Sequence, residues 1–294
     1  MVEEKSTASR AFNLINSIIL ILTALGCLLP LWYIFCVSVS DKFSVNAGLV
    51  SFWPIGFNLN SYERIIGEAA FFQAFWVSFK RVVLGTSVSV VIILLTAFPL
   101  SRTNKSMPGR NLLMWLFIFC MLFNGGIIPW YITISRYGLI DSIWGLVLAG
   151  GVPIFNIILV INFFRNIPSA LVEAAYVDGA GPWRIFLQIY IPLSGPVIAT
   201  ITLFTIVNHW NDFFQGMVLT TKQKNYPLQT YIQQLVVTID YSNLSADQME
   251  AMNRLNNRSL DSAKIFIAMI PVLLIYPFLQ KYFVTGITLG SVKG

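Results

Sequence analysis

The sequence predicts an all-α integral membrane protein with six transmembrane helices. Of its 294 residues, 56% are apolar and only 11% are charged, which is too few charges to cover the surface of a soluble protein of this length. Apolar runs of about 20 residues, the length that crosses a bilayer as a helix, recur along the chain. These runs do not alternate with a period of two, and backbone groups in lipid must be hydrogen-bonded internally, so we expect helices.

The predicted spans are distributed over the whole chain, so we expect one transmembrane domain, residues 1–294. They cover residues 14–39, 77–100, 112–132, 143–164, 197–219 and 263–283. The first span stands where a signal peptide would stand, but its apolar run is too long for one. Glu3 and Glu4 also precede it, so an uncleaved anchor is favoured.

The basic residues of the short loops predict the orientation. Arg102, Lys105 and Arg110 lie between the second and third spans without an acidic residue, whereas the next short loop, around Arg136 and Asp141, is neutral. The positive-inside rule places the first of these loops in the cytoplasm, and an even number of spans then places both termini there. Residues 40–76 and 220–262 become outer loops, the second with a predicted helix at 245–256, and residues 165–196 become a cytoplasmic segment.

The cytoplasmic segment has the pattern of a helix–turn–helix. Pro168 and Ser169 predict the start of a short helix, with Ser169 as its cap. Gly179 predicts the end of that helix, because glycine adopts the left-handed C-cap conformation without a steric penalty. A second helix near residues 182–190 is expected to end at Pro192. Two short helices lying across the membrane face are suited to a partner's groove.

The same segment resembles the cytoplasmic "EAA" loop of the permeases of ABC importers. A connecting loop that contains Glu, Ala and Gly is common, but here the spacing of the whole pattern matches that of the EAA loop. The matching residues are Glu173, Ala174, Ala175, Asp178, Gly179 and Ala180, followed by Phe186, Ile189, Pro192 and Pro196. The resemblance implies the type I ABC importer permease fold, in which the first six of these residues couple the permease to an ATPase subunit. The helix Glu173–Asp178 would dock in a cleft of that subunit, with Gly179 setting the turn.

The resemblance extends beyond this loop. Residues 138–142 (Gly-Leu-Ile-Asp-Ser), 210–213 (Trp-Asn-Asp-Phe) and 286–294 are similar to the second permease of maltose-type carbohydrate importers. Residues 123–129 (Phe-Asn-Gly-Gly-Ile-Ile-Pro) resemble a subgroup that includes importers of acidic oligosaccharides from alginate and pectin. The implied substrate is such an oligosaccharide, with a neutral one as the alternative.

The family implies a set of partners in a bacterial cytoplasmic (inner) membrane. They are a second, related permease, two ATPase subunits that hold ATP and Mg, an extracytoplasmic solute-binding protein and membrane lipid. The end of the chain would reach between the two ATPase subunits through Gly290, Ser291, Val292 and Lys293.

Polar residues inside the fifth span are candidates for the translocation path. Asn208, Asn211, Asp212 and Gln215 recur at helical spacing, so on a continuous helix they form one stripe. Polar groups facing lipid are costly, so the stripe should face the bundle interior or water. Hydrogen bonding between helices is the alternative. His209 is expected to be a packed or interfacial residue.

Glycine and proline predict breaks in two other spans. Gly125, Gly126 and Pro129 interrupt the third span and Pro153 lies in the fourth. Broken helices in transporters line cavities or abut protein, although an ordinary kink or an exit into a short outer helix fits equally well.

Three basic residues are candidates for attracting an anionic substrate at the outer mouth. They are Lys80, Arg81 and Arg136. The alternative is interfacial snorkelling, in which the long side chain reaches the headgroups.

Several classes of function are excluded by what the sequence lacks. No G-x-x-x-x-G-K-[S/T] motif is present, so the chain holds no ATP through a P-loop and is not expected to be an enzyme. One histidine and three cysteines in apolar stretches do not predict a metal site. Basic residues are scattered, which argues against nucleic acid. A secondary carrier remains an alternative, but neither inverted repeats nor an ion site is visible.

Overall fold

The computed structural model describes residues 7–103, 106–237 and 258–291, and these residues are helical apart from turns and loops. The helices are α1 (Thr7–Ser38), α2 (Lys42–Asn46), α3 (Asn60–Ile66), α4 (Ala69–Ser101), α5 (Arg110–Leu122), α6 (Ile127–Arg136), α7 (Ile143–Leu148), α8 (Ile154–Arg165), α9 (Ser169–Val177), α10 (Pro182–Leu193), α11 (Gly195–Asn211), α12 (Phe214–Leu219), α13 (Leu228–Val237) and α14 (Arg258–Ser291). Lys105, the predicted helix at 245–256, Val292 and Lys293 lie outside the described residues.

Two straight helices are long and apolar enough to cross a membrane. They are Ser9–Ser38 of α1 and the whole of α4, with mean hydropathies of 2.4 and 2.3. Three pairs of consecutive helices also pass when taken together, but they bend by 112° (α5 with α6), 73° (α8 with α9) and 80° (α10 with α11). By length and composition the described residues therefore hold two spans, or up to five if each bent pair is one. The sixth predicted span, 263–283, lies inside α14.

The third, fourth and fifth predicted spans are not continuous helices. The third stops at Leu122 and resumes at Ile127. Between them Gly126 has a φ of 87°, which favours glycine, and its N–H donates to Asn124 Oδ1 at 2.9 Å. The fourth is divided into α7 and α8 and the fifth into α11 and α12. The predicted interruptions at the glycine pair and near Pro153 are thus confirmed, whereas the break after Asn211 was not predicted.

One compact unit comprises residues 70–234 and 271–294. Its core joins α4, α8, α10 and α11 through buried side chains that include Ile93, Ala97, Ile157, Val160, Ile161, Ile185 and Ile201. Aromatic rings fix α10 in this core: the Phe98 ring lies 4.9 Å from that of Phe186 and 5.0 Å from that of Tyr190. The Tyr190 ring also lies 5.1 Å from the Phe164 ring of α8. The second helix of residues 165–196 is therefore packed against α4 and α8.

The second helix ends one residue beyond Pro192, in agreement with the prediction to within the one or two residues by which helix bounds are defined. Residues Phe186–Tyr190 form a π-helical turn, after which α10 continues through Pro192 to Leu193. Pro192 therefore lies in the last turn of α10, as expected of a residue that has no backbone N–H.

The other compact unit comprises the described residues 7–69, 235–237 and 258–270. Cys36, Val37, Val45 and Val50 form its small apolar cluster, and Lys264 Nζ donates to Glu68 Oε1 at 2.8 Å. In the most apolar 18-residue window of α1 none of the residues is buried. A helix that is apolar on all faces and unburied is typical of contact with lipid.

Gly85 of α4 gives a test of the packing in the larger unit. A Cβ on Gly85 would lie 2.5 Å from Nε2 of His209, so His209 is a packed residue, as expected. Gly85→Ala should destabilise the protein by about 1–3 kcal/mol through overpacking, measured as a lower unfolding temperature in detergent.

Gly26→Ala is the matched control, since a Cβ on Gly26 in α1 would meet nothing within 4 Å. Adding His209→Ala to Gly85→Ala should restore much of the stability. An equal loss in the two glycine variants would contradict this packing.

Candidate functional sites

The break in the fifth predicted span is built around a buried arginine. Arg81 of α4 is 1% exposed. Its Nη2 donates to Asp212 Oδ2 at 2.7 Å and to Gln215 Oε1 at 2.6 Å. Its Nη1 donates to the Asp212 carbonyl at 2.9 Å and its Nε to the Leu146 carbonyl at 3.2 Å. One guanidinium thus holds α4, α7 and the link between α11 and α12 together.

This network corrects the prediction of a continuous polar stripe. Asn208 and Asn211 are exposed in the last turn of α11, but Asp212 has an extended conformation and Gln215 belongs to α12. Asp212 Oδ1 accepts the N–H of Gln215 at 3.1 Å. The helix is interrupted because the Asp212 carboxylate hydrogen-bonds the start of α12 and pairs with Arg81. Of the four residues of the predicted stripe, Asn208 alone lines a separate, mostly apolar cavity of about 640 Å³.

The three candidate charges of the outer mouth have different environments. Arg81 is buried and its charge is balanced by Asp212, so the expectation that it offers a free charge is wrong. Lys80 is exposed, with Nζ lying 5.5 Å from the centroid of the Trp76 ring. Arg136 is exposed at the end of α6.

Within residues 165–196, most side chains of α9 are exposed to solvent. Val172 and Ala180 are buried, whereas Glu173, Ala174 and Asp178 are exposed. Gly179 has a φ of 75°, so a left-handed residue follows α9 as predicted. The N–H of Ala180 then donates to the Ala175 carbonyl at 2.8 Å and closes the turn.

The start of α9 differs from the prediction in one respect. Pro168 occupies the N-cap position and makes no side-chain cap hydrogen bond, and Ser169 is the first helical residue. Behind α9 lies a cavity of about 530 Å³ whose lining includes Arg102, Arg110 and Arg165. Basic residues from the link between the second and third predicted spans therefore lie next to the segment.

An aspartate joins two loops that were predicted to lie on the outer side. Asp141 is the one non-glycine residue with positive φ (58°) in the described part of the chain. Its carboxylate accepts the N–H groups of Thr221 at 2.8 Å and Lys222 at 3.1 Å, together with the Thr221 hydroxyl and the Asn225 amide. The Asp141 N–H donates to the Leu219 carbonyl at 2.9 Å.

These hydrogen bonds hold the pKa of Asp141 well below its ordinary value. The Thr221 hydroxyl contributes most, followed by the N–H groups of Lys222 and Thr221. Sequence reasoning did not find this role. The available signal was an aspartate in a short turn after Gly138, because aspartate tolerates positive φ better than most residues.

The comparison with known families decides what kind of protein carries these features. The profile of the family described as "Binding-protein-dependent transport system inner membrane component" matches residues 5–289. The chain belongs to this family. It is therefore a multi-pass permease of the inner membrane and one subunit of an ABC transporter. Such transporters contain paired permeases, ATPase subunits that hydrolyse ATP, and a solute-binding protein.

The permease is similar over nearly its whole length to two proteins of Bacillus subtilis and to one chain of a solved transporter. It is 36% identical to the polygalacturonan/rhamnogalacturonan transport system permease protein YtcP of Bacillus subtilis, with 97% of this chain and 99% of YtcP covered. It is 37% identical to the B. subtilis protein LplC, with 98% and 96% covered. A solved structure of a bacterial ABC transporter that imports the acidic polysaccharide alginate has a chain with a TM-score of 0.82 and 32% identity, covering 95% of this permease and 98% of that chain.

The buried ion pair predicts that removing one partner destabilises the protein more than replacing both partners. Arg81→Met should cost about 3–5 kcal/mol, because it leaves the Asp212 carboxylate without its partner in a half-buried position. Arg81→Met combined with Asp212→Leu should recover part of the loss. Unfolding temperature in detergent is the measurement, and Lys80→Met, an exposed neighbour, is the control. Equal effects of Lys80→Met and Arg81→Met would contradict the pairing.

The hydrogen bonds of Asp141 predict that the loop at residues 221–225 stays attached to the Asp141 turn independently of pH near neutrality. Since its pKa is lower folded than unfolded, the carboxylate stabilises the turn above the ordinary value of about 4, and this contribution is lost only as the pH falls below it. Asp141→Asn and Asp141→Gly both tolerate positive φ but remove the charge. Each variant should increase the rate at which trypsin cleaves after Lys222 or Lys224. For the unaltered protein, the cleavage rate corrected for trypsin's own activity should change little between pH 6 and 8. Unchanged cleavage in both variants would exclude the attachment.

Proposed function

We propose that this permease imports an oligosaccharide, with acidic fragments of pectin or alginate as the favoured cargo. The support is the full-length similarity to YtcP, which is named for polygalacturonan and rhamnogalacturonan, and to a chain of the transporter that imports alginate. All three named polymers consist wholly or partly of uronate units, so the shared feature is a carboxylated sugar.

The observation that carries the mechanism is the exposed surface of α9. Val172 is the buried residue of α9, and Ala180 is buried just after the turn that follows it. Ala174 and Asp178 are exposed, and exposed Glu173 lines the cavity that also contains Arg102 and Arg165. Small and acidic side chains on a short exposed helix let another protein approach closely. We assign to this exposed surface the docking of an ATPase subunit, with Gly179 setting the turn.

Motion of α9 has a direct route into the membrane helices. A short turn connects α9 to α10, and α10 contacts α4 and α8 through the rings of Phe186 and Tyr190. When ATP binding closes the ATPase pair, displacement of α9 would be passed on by these rigid contacts. Alternation between two packed arrangements would expose the path first outward and then inward.

The remaining parts of the assignment complete this picture. Six spans form one domain, both termini lie in the cytoplasm, and the tail from Gly290 to Lys293 reaches between the ATPase subunits. Asn208 and Asn211, exposed at the end of α11, contribute to the path, and exposed Lys80 and Arg136 attract an anionic cargo. One chain of this size does not enclose an oligosaccharide, so a second, related permease forms the other wall.

Uptake into vesicles that contain the assembled transporter tests the proposal. We expect ATP-dependent uptake of trigalacturonate and little of neutral maltotriose. Glu173→Lys with Gly179→Pro should reduce uptake about tenfold or more, the effect of losing roughly 1.4 kcal/mol of docking affinity.

Glu63→Lys on exposed α3 is the matched charge reversal and should leave uptake unchanged. Preferential uptake of maltotriose would overturn the acidic cargo and leave the importer mechanism in place. Undiminished uptake by the double variant would overturn the coupling role of α9.

A further inference from the structure

The break in the third predicted span opens a cavity of about 910 Å³ within the larger unit. Its lining contains six of the seven residues of the stretch 123–129, namely Phe123, Asn124, Gly125, Gly126, Ile127 and Pro129. Trp130, Gly150, Phe214 and Gln215 line it as well. The sequence feature that resembles acidic-oligosaccharide importers therefore forms a cavity wall.

Two aromatic rings in this cavity are held nearly parallel. The centroids of the Trp130 and Phe214 rings are 6.5 Å apart and their planes differ by 27°. Trp130 is oriented by its Nε1–H, which donates to the Ala149 carbonyl at 2.8 Å. Phe214 is 40% exposed. Apolar aromatic surface together with a few placed polar groups is the usual composition of a small-molecule site.

The polar groups of the cavity are oriented amides. Gln215 Oε1 is fixed by Arg81 Nη2 at 2.6 Å, which leaves its Nε2 on the side of Gly150, 3.1 Å from where a Cβ would stand on that glycine. Asn124 Oδ1 is fixed by the Gly126 N–H, which leaves the Asn124 Nδ2 to donate as well. Because each amide oxygen is turned toward a protein donor, the NH₂ group of each side chain points away from that donor and can donate to a ligand.

The charge of the cavity also suits an acidic sugar. Its lining residues include neither Asp nor Glu, so no carboxylate among the described lining residues would repel a uronate. Arg81, one hydrogen bond behind Gln215, is balanced by Asp212 and only orients the amide. Gly125 leaves room for a ligand, because nothing lies within 4 Å of where its Cβ would be.

We propose that this cavity is a subsite for one pyranose ring of the transported oligosaccharide. The C–H face of the ring stacks on Phe214 and Trp130, and its hydroxyl or carboxylate oxygens accept hydrogen bonds from Gln215 Nε2 and Asn124 Nδ2. The inference rests on the proposed function, since it assumes that an oligosaccharide passes through this subunit.

Cys120 provides a probe that is already in place. It lines the cavity and is exposed, whereas Cys36 is buried and Cys27 is exposed in α1. In a Cys27→Ser background, the rate at which a water-soluble methanethiosulfonate modifies Cys120 is measured in the assembled transporter with its binding protein and ATP. Trigalacturonate should slow this modification severalfold, and maltotriose should not.

Gly125→Leu should fill the cavity and remove both the protection of Cys120 and most of the uptake. Gly26→Leu, at a glycine of α1 where a Cβ also meets nothing within 4 Å, should change neither. Phe214→Ala should raise the KM for trigalacturonate, and Phe214→Tyr, which keeps the aromatic face, should restore it.

The outcomes separate the subsite from the proposed function. ATP-dependent uptake of trigalacturonate with no protection of Cys120, or with full uptake by Gly125→Leu, would overturn the subsite and leave the importer function in place. Absence of uptake of every oligosaccharide would overturn both. Protection by trigalacturonate that is lost in Phe214→Ala and regained in Phe214→Tyr would establish the subsite.

Discussion

The structure depends on how polar backbone groups are satisfied where its membrane helices break. Each break frees carbonyl and N–H groups that lipid cannot hydrogen-bond. The described part of the chain uses side chains for this purpose: Arg81 donates to the carbonyls of Leu146 and Asp212, and Trp130 donates to that of Ala149. Asp212 in turn balances the charge of Arg81 and accepts the N–H of Gln215. Without these donors the interruptions of the fourth and fifth spans would expose unpaired groups.

The breaks also determine where chemistry becomes possible. A continuous apolar helix offers only side chains, and most of those in this chain are apolar. An interrupted helix brings backbone, amide and aromatic groups to one place, as at the cavity beside Gly125, Phe214 and Gln215. In residues 165–196 the helix is not broken in this way, because α9 is a complete short helix whose turn is closed by Gly179 and Ala180.

Local features were predictable from the sequence and long-range pairings were not. Proline before and glycine after residues 169–177 gave the correct bounds for α9, and the glycine pair gave the break near residue 125. The partnership of Arg81 with Asp212 was hidden, because 131 residues separate them and nothing in either neighbourhood indicates the other. The stripe in the fifth span failed for the same reason. The stripe was predicted for a continuous helix. In the structure α11 ends at Asn211, and the next residue, Asp212, is paired with Arg81 of α4.

The length of helix α1 exceeds the thickness of the hydrocarbon core that it would cross. Its apolar part, Ser9–Ser38, contains 30 residues, about 45 Å at 1.5 Å per residue, whereas the hydrocarbon core of a bilayer is about 30 Å thick. The excess must be absorbed by tilt or by ends that extend into the headgroups. Since none of its most apolar window is buried among the described residues, that part of α1 is left to adapt to the bilayer around it. A change in bilayer thickness should therefore change the tilt of α1 in this subunit.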